Sequence, residues 1–326
     1  MKAIIWTSYG SADVLELQEV EKPAPEDNEV LIRIYATSVV AGDCEMRSLK
    51  LPLYFQIPLR IYAGLTKPKR IRILGQELAG EIETAGKDVK LFKAGDQVFA
   101  TTGFRLGAYA EYICLPEKSV DIALAAKPAN MTYQEAAAVP LGALEALHFL
   151  RKGNIRQGES VLIIGAGGSI GTYAVQLSRY YGAEVSAVDS TGKLEMLRSI
   201  GADRVIDYTQ GDYTKNAETY DVIFDAVGKG SYSGCIRLLK QDGRYLLANP
   251  GLSQRIRGRW TNMVNSKKVI LESASHKAED LVFLKELIEA GKIKTVIDRS
   301  YPLEQMADAH RYVETEQKKG NVVITV

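Results

Sequence analysis

Over the first 126 residues, apolar positions fall in short runs. VLIRIYAT (30–37), ELAGEIETAG (77–86), DQVFATT (96–102) and AYAEYICLP (108–116) read as strands, and Gly, Pro and Asp separate them at short intervals. That spacing suits a compact antiparallel or barrel-like domain. After Lys127-Pro128 the pattern changes: residues 133–152 carry helical apolar spacing that Pro140 must break or kink. From Ser160 onward apolar runs alternate with helical segments. VLIIG (161–165) is followed by a helix ending near Tyr181, EVSAVD (184–189) by a helix from Lys193, and then come RVIDY (204–208), DVIFDAVG (221–228), RYLLAN (244–249) and VILESA (269–274). The tail holds helices over 278–292 and 303–316 and a last strand, VVITV (322–326).

Uninterrupted apolar strands alternating with helices imply a parallel sheet covered on both faces. Six of them fit the Rossmann doubly wound sheet that binds dinucleotides. The expected fold class is therefore α/β, with a second, β-rich domain. The expected boundaries are 127–276 for the dinucleotide-binding domain and 1–126 with 277–326 for the β-rich one, the tail returning to the first domain.

Composition narrows the partners. With 41 Lys and Arg against 40 Asp and Glu, the net charge is +1, which disfavours nucleic acid as a partner. The three cysteines, Cys44, Cys114 and Cys235, are odd in number and far apart, as expected for free thiols in a reducing compartment. The N-terminus reaches polar residues too early for a signal peptide, and Gln56, Pro58 and Arg60 interrupt the most apolar early stretch, so no membrane span is expected. The expected location is cytoplasmic.

Candidate chemistry begins at Ala166-Gly167-Gly168-Ser169-Ile170-Gly171, directly between a strand and a helix. This is the G-x-G-x-x-G frame with alanine first. Gly168 would let the backbone approach a pyrophosphate, and Gly171 would let helix and strand pack closely. The helix N-terminus would supply N–H groups and a favourable dipole. Asp189 ends the next strand, where an acid can accept a hydrogen bond from a ribose 2′-hydroxyl. Ser190, Thr191 and Lys193 follow, and they could hold a 2′-phosphate instead. A nicotinamide cofactor is thus expected, with NADP versus NAD open.

The order of VLIRIYATSVVAGDCEMRS, ILGQELAGEIETAG, FKAGDQVFA, GAYAEYICLP, EAAAVPLGALEAL, AGGSIGTYAVQLSR and GADRVIDY resembles the medium-chain dehydrogenase/reductase superfamily, most closely its zinc-independent quinone oxidoreductase-like branch. The resemblance implies a GroES-like catalytic domain beside the Rossmann domain. It also implies no zinc: Val40 stands for the first cysteine ligand, Gln76 for the histidine, and AVPLGALEAL has no cysteine for the third. Without a metal to stabilise an alkoxide, the expected acceptor is already electrophilic, a quinone or an α,β-unsaturated carbonyl, because its conjugated oxygen takes up charge.

By the same resemblance Tyr54 and Asp43 are the catalytic candidates, Tyr54 as a carbonyl-polarising or proton-donating hydroxyl and Asp43 as a group orienting backbone. Tyr208 is expected against the adenosine end. Ala226, Val227, Gly228, Asn249 and Pro250 lie at the carboxyl edge of the sheet, where open α/β sheets bind ligands. Gly320 and Asn321 are expected near the cofactor, and pairing through VILESA implies a homodimer. The insert with Lys67, Lys69, Arg70 and Arg72 reads first as solvated surface, with a basic face for an anionic substrate, lipid headgroup or RNA as the alternative. His148, His276 and His310 have no metal or triad partner in spacing. A cofactor-binding redox sensor, structural protein or RNA-associated factor remains the alternative, and a zinc alcohol dehydrogenase the third reading.

Overall fold

A computed structural model describes residues 1–215 and 218–326, the side chains of Leu53 and Tyr54 excepted. In chain order the elements are β1 (Lys2–Trp6), β2 (Leu15–Glu19), β3 (Glu29–Ser38), α1 (Ala41–Ser48), α2 (Leu53–Ala63), β4 (Glu77–Ala85), β5 (Gln97–Thr101), β6 (Tyr112–Pro116), β7 (Leu124–Ala126), α3 (Tyr133–Ala137) and α4 (Pro140–Lys152). There follow β8 (Ser160–Ile164), α5 (Ser169–Tyr180), β9 (Glu184–Asp189), α6 (Leu194–Ser199), β10 (Arg204–Asp207), β11 (Tyr220–Asp225), α7 (Tyr232–Leu238), β12 (Leu239–Leu247), α8 (Leu252–Val264) and β13 (Lys268–Ile270). The chain ends with α9 (Ala278–Glu289), β14 (Ile297–Pro302), α10 (Met306–Glu314) and β15 (Asn321–Thr325).

The chain divides into two compact units, 1–141 with 276–290 and 295–326, and 142–275 with 291–294. The first unit is built on a sheet ordered β14-β15-β3-β4-β5-β7, with β6 also pairing β3 and β1 pairing β2 in a separate ribbon. Its pairings are antiparallel except β14 with β15. Its larger hydrophobic clusters lie around Trp6, Leu74 and Met306 and around Ile32, Leu78 and Val98. The tail lies in this unit because β15 adds to β3, with Val323 opposite Ser38 and Thr325 opposite Ala36.

The second unit carries a six-stranded sheet ordered β10-β9-β8-β11-β12-β13, every pairing parallel. In order of appearance this is 3-2-1-4-5-6, the doubly wound dinucleotide-binding order. Its strand order reverses between β8 and β11, so the carboxyl ends of those two strands open the crevice where such sheets hold ligands.

The first unit is less purely β than its sequence suggests. The reading of residues 1–126 as strands overlooks α1 and α2, and Pro58 sits inside α2. Pro140 opens α4 instead of kinking a longer helix, at a position where its missing N–H costs nothing. Thr132 caps α3, its hydroxyl accepting from Glu135 N–H at 3.2 Å. The sixth strand is shorter than VILESA, ending at Ile270, and α8 was not anticipated.

Candidate cofactor and active site

The phosphate loop leaves β8 through Gly165, whose φ of +73° is one that side chains rarely adopt. A Cβ there would also meet Val227 Cγ1 at 2.6 Å. The N–H groups of Gly165 and Ala166 both donate to Val188 O, and Gly168 N–H to Gly165 O, which ties the turn to β9. Gly168 then caps α5. The two key glycines differ in what surrounds them. A Cβ on Gly171 would lie 2.3 Å from Gly165 O and 2.6 Å from Ala166 Cα, so helix and turn can approach only because Gly171 has no side chain. A Cβ on Gly168 would meet nothing nearer than 3.5 Å. That space lies over the first turn of α5, where helical N–H groups have no acceptor in their own helix. The loop fits a pyrophosphate by its shape and its dipole.

Asp189, at the end of β9, is buried and engaged. Its Oδ2 accepts Gly167 N–H at 2.7 Å, and its Oδ1 accepts Ser190 N–H at 2.8 Å. Lys193 folds back over it, Nζ 3.1 Å from Oδ1, with its stem against Gly167. Asp189, Ser190 and Lys193 thus form one cluster with the loop. Tyr208 begins beside it, its N–H donating to Asp189 O at 3.3 Å, with an exposed ring.

At the end of β11, Asp225 organises the next turn. Oδ1 accepts Val227 N–H at 3.2 Å and Gly228 N–H at 2.8 Å, and Oδ2 accepts Gly230 N–H at 2.8 Å and the Tyr245 hydroxyl at 3.3 Å. Burial raises its pKa above the usual carboxylate range. Asn249 Nδ2 donates to Ala226 O at 3.2 Å, and Asn249 O leaves Gly228 no room for a Cβ, which would sit 2.2 Å away. Ala226, Val227 and Asn249 therefore come together at the carboxyl edge, as does Pro250, which is buried there. Asp225 was not singled out from sequence. Its signal was an acid closing an apolar strand just before Ala-Val-Gly.

The remaining candidates lie in the first unit. Asp43, in the first turn of α1, is fully buried. Its Oδ2 accepts the Tyr109 hydroxyl at 2.8 Å and Val40 N–H at 3.3 Å, and its Oδ1 accepts Gln76 Nε2 at 3.2 Å. Burial pushes it up to about 6. Glu77 next door is buried too and pushed up to about 7, despite accepting the Ser38 hydroxyl and Leu141 N–H. Tyr109, Ser38 and Glu77 were not singled out from sequence as site residues, since each lies within or at the end of a strand-like run. Tyr54 belongs to α2, and its side chain lies outside the described residues. Asn321 is buried, with Nδ2 donating to Val296 O at 3.1 Å. Gly320 has φ +75°, and a Cβ there would meet that same oxygen at 2.5 Å. Cys44 Sγ lies 3.2 Å from His310 Nδ1 in the core, where burial pushes the thiol up and, with Arg47, pushes the imidazole down to about 3.

Known proteins resemble this chain over its whole length. Residues 26–124 match the alcohol dehydrogenase GroES-like domain family, and residues 200–324 match the zinc-binding dehydrogenase family. The 2-methylene-furan-3-one reductase of Solanum lycopersicum is 33% identical over 99% of this chain and 79% of its own length. The chain belongs to the medium-chain dehydrogenase/reductase superfamily, in its quinone oxidoreductase-like branch. The chloroplastic NADPH-dependent alkenal/one oxidoreductase of Arabidopsis thaliana is 30% identical over 99% of this chain and 79% of its own length. Among solved structures, the quinone oxidoreductase from Coxiella burnetii superposes with a TM-score of 0.87 at 26% identity, covering 100% of this chain and 99% of that one.

Within the superfamily's frame, the positions implied for zinc ligands carry other chemistry here. Val40 has no donor atom, and the Gln76 amide is engaged with Asp43. Among the described residues, no group of three or more His, Cys, Asp or Glu could hold a metal ion. The donor set does not fit a zinc ion.

Proposed function

We propose that this chain is a zinc-independent, NAD(P)H-dependent reductase that transfers hydride to quinones or α,β-unsaturated carbonyls. The observation that carries the reading is the loop from Gly165 to Gly171, whose only uncrowded glycine, Gly168, sits over the N-terminus of α5. The relatives named as alkenal/one, furanone and quinone reductases support it. When bound, the reduced nicotinamide supplies the hydride.

The chain's own residues supply the rest. Ala166 to Gly171 would hold the pyrophosphate, and Asp189 keeps the loop closed by accepting Gly167 N–H. Lys193, already beside Asp189, is placed to meet a 2′-phosphate with Ser190, which favours NADPH. Tyr208 would lie against the adenosine, and Ala226, Val227 and Asn249 would meet the nicotinamide end of the cofactor. Asn321 holds its segment in place through Val296. Asp43 is a positioning residue: it fixes Gln76 and the Val40 backbone, while Tyr54 supplies the hydroxyl that polarises the acceptor. The acceptor's own conjugated oxygen receives the developing charge, so no metal is required.

Three unpaired cysteines support a reducing, cytoplasmic setting. No helix among the described residues is long and apolar enough to cross a membrane. A homodimer is supported by the edge strand β13 and by α8 packed on it, which turns Leu252, Ile256, Trp260 and Met263 to solvent along one stripe. A monomer in light scattering at micromolar concentration would refute it.

The deciding experiment is oxidation of NADPH and NADH by chelator-treated protein, with one ortho-quinone and one enone. Saturable turnover that needs both cofactor and acceptor is expected, and Tyr54→Phe should lower kcat about tenfold or more. Binding of both cofactors without any turnover would sink the reading in favour of a cofactor-binding protein.

A further inference from the structure

Helix α2 buries apolar side chains on one face and exposes others to solvent. One face, carrying Leu59 and Ala63, packs into the core with Trp6, Val39 and Met306. The opposite face is just as apolar and open to solvent: Ile57 is 60% exposed, Ile61 70% and Tyr62 42%, joined by Phe55 before them and by Leu65 after the helix end.

Charge gathers on the same segment. Between Glu45 and Glu77 there is no acidic residue, while Lys50, Arg60, Lys67, Lys69, Arg70 and Arg72 are all exposed. Among the described residues none of these six pairs with a carboxylate. In a chain of net charge +1 this is a strong local imbalance. The turn that follows α2 folds back onto the helix's C-terminal end and sets Arg70 beside Tyr62. Lys69 N–H and Arg70 N–H both donate to Ala63 O, at 2.8 and 3.0 Å, and Pro68 is buried beneath them. The Tyr9 hydroxyl holds Gly64 O at 2.6 Å, and the Arg70 guanidinium lies 5.2 Å from the Tyr62 ring centre. The basic run is therefore a fixed part of the surface, and its first reading from sequence, as solvated surface, omits the apolar face beside it.

We infer that α2 and the turn after it form a docking surface for an anionic lipid membrane, with Ile57, Ile61, Tyr62 and Leu65 entering the headgroup boundary and the flanking Lys and Arg meeting lipid phosphates. Charge selects this occupant. An apolar protein partner would be served by the isoleucines alone, and a nucleic acid by the cations alone. Apolar side chains on one face with Lys and Arg at its edge is the pattern of helices that lie in an anionic interface. The contact is peripheral and reversible. It is independent of the reductase reading, because turnover with a water-soluble enone is measured without vesicles.

The test is co-sedimentation of the full-length protein with vesicles of phosphatidylcholine alone and of phosphatidylcholine with about 30% phosphatidylserine, at low and high salt. The expected result is binding to the anionic vesicles about tenfold or more above the neutral ones, released at roughly 0.5 M salt. The pair Ile57→Glu with Ile61→Glu and the pair Lys67→Ala with Lys69→Ala should each weaken it about tenfold. The positions are exposed, and an unchanged melting temperature shows the variants are folded. Should a variant unfold, the salt and lipid comparison on the unaltered protein still decides. No sedimentation, or equal sedimentation with both vesicles, overturns the proposal. So does single-stranded RNA binding that ignores the isoleucine variants, which would make the face a polyanion site. Loss of a dimer in the isoleucine variant, with no vesicle binding, would make the occupant a second copy of the chain.

Discussion

The carboxylate of Asp189 accepts the backbone N–H of Gly167 at 2.7 Å, joining the end of β9 to the phosphate loop that leaves β8. Its other oxygen is taken by Ser190 N–H and Lys193 Nζ. Asp189 thus spends most of its acceptor capacity inside the protein, and Lys193 is the side chain with charge to offer a 2′-substituent.

Lys193→Met should therefore weaken NADPH binding about tenfold or more, the usual scale for a charge-assisted hydrogen bond to phosphate, and leave NADH nearly unchanged. Asp189→Ala should weaken both cofactors together, because the loop loses its tie. Fluorescence titration with each cofactor checks both. Selective loss of NADH in Asp189→Ala would instead make Asp189 a reader of the 2′-hydroxyl.

The two loop glycines should separate stability from binding. In Gly171→Ala the new Cβ would fall 2.3 Å from backbone oxygen and 2.6 Å from backbone carbon, with no flexible side chain to yield. A loss on the order of 2–4 kcal/mol and a clear drop in melting temperature are expected. In Gly168→Ala the nearest atom is 3.5 Å away, so the fold should hold. Cofactor affinity should fall, because the methyl occupies space meant for the pyrophosphate. Equal melting losses in the two variants would refute this division.

Glu77 gives a pH signature. Burial raises it from 4.5 to about 7 in the folded chain, so between those values the folded state holds a proton that the unfolded state has released. Its contribution to stability is complete below about pH 4.5 and is lost as pH rises through 7. Glu77→Gln removes that loss. The melting temperature of the variant relative to the parent should rise steadily between those limits, by an amount worth on the order of 3 kcal/mol. A pH-independent difference would show that Glu77 is ionised in the folded protein across this range.

Much of the candidate cofactor site was legible because it is local. Gly168, Gly171 and Asp189 fall within two strands and a helix whose apolar runs announce them, and the space around the two glycines differs. The first unit was less legible. Asp43, Gln76 and Tyr109 lie on distant stretches of the chain and meet only when the turn before β4 and the segment before β6 settle beside α1. Helix α2 was hidden by Pro58 and Arg60, which interrupt its pattern although the fold accommodates both.

The sequence by itself determined the kinds of element and the chemistry of single segments: six apolar strands alternating with helices, a glycine-rich loop between a strand and a helix, and a run of cations. Those properties follow from neighbouring residues and so survive without coordinates. Only the tertiary structure decided the strand order, the engagement of Asp189 with Gly167 and Lys193, the Asp225 turn, and the open apolar face beside the basic run. Each depends on residues brought together by packing, and periodicity along a chain carries no record of which distant segment will cover a given face.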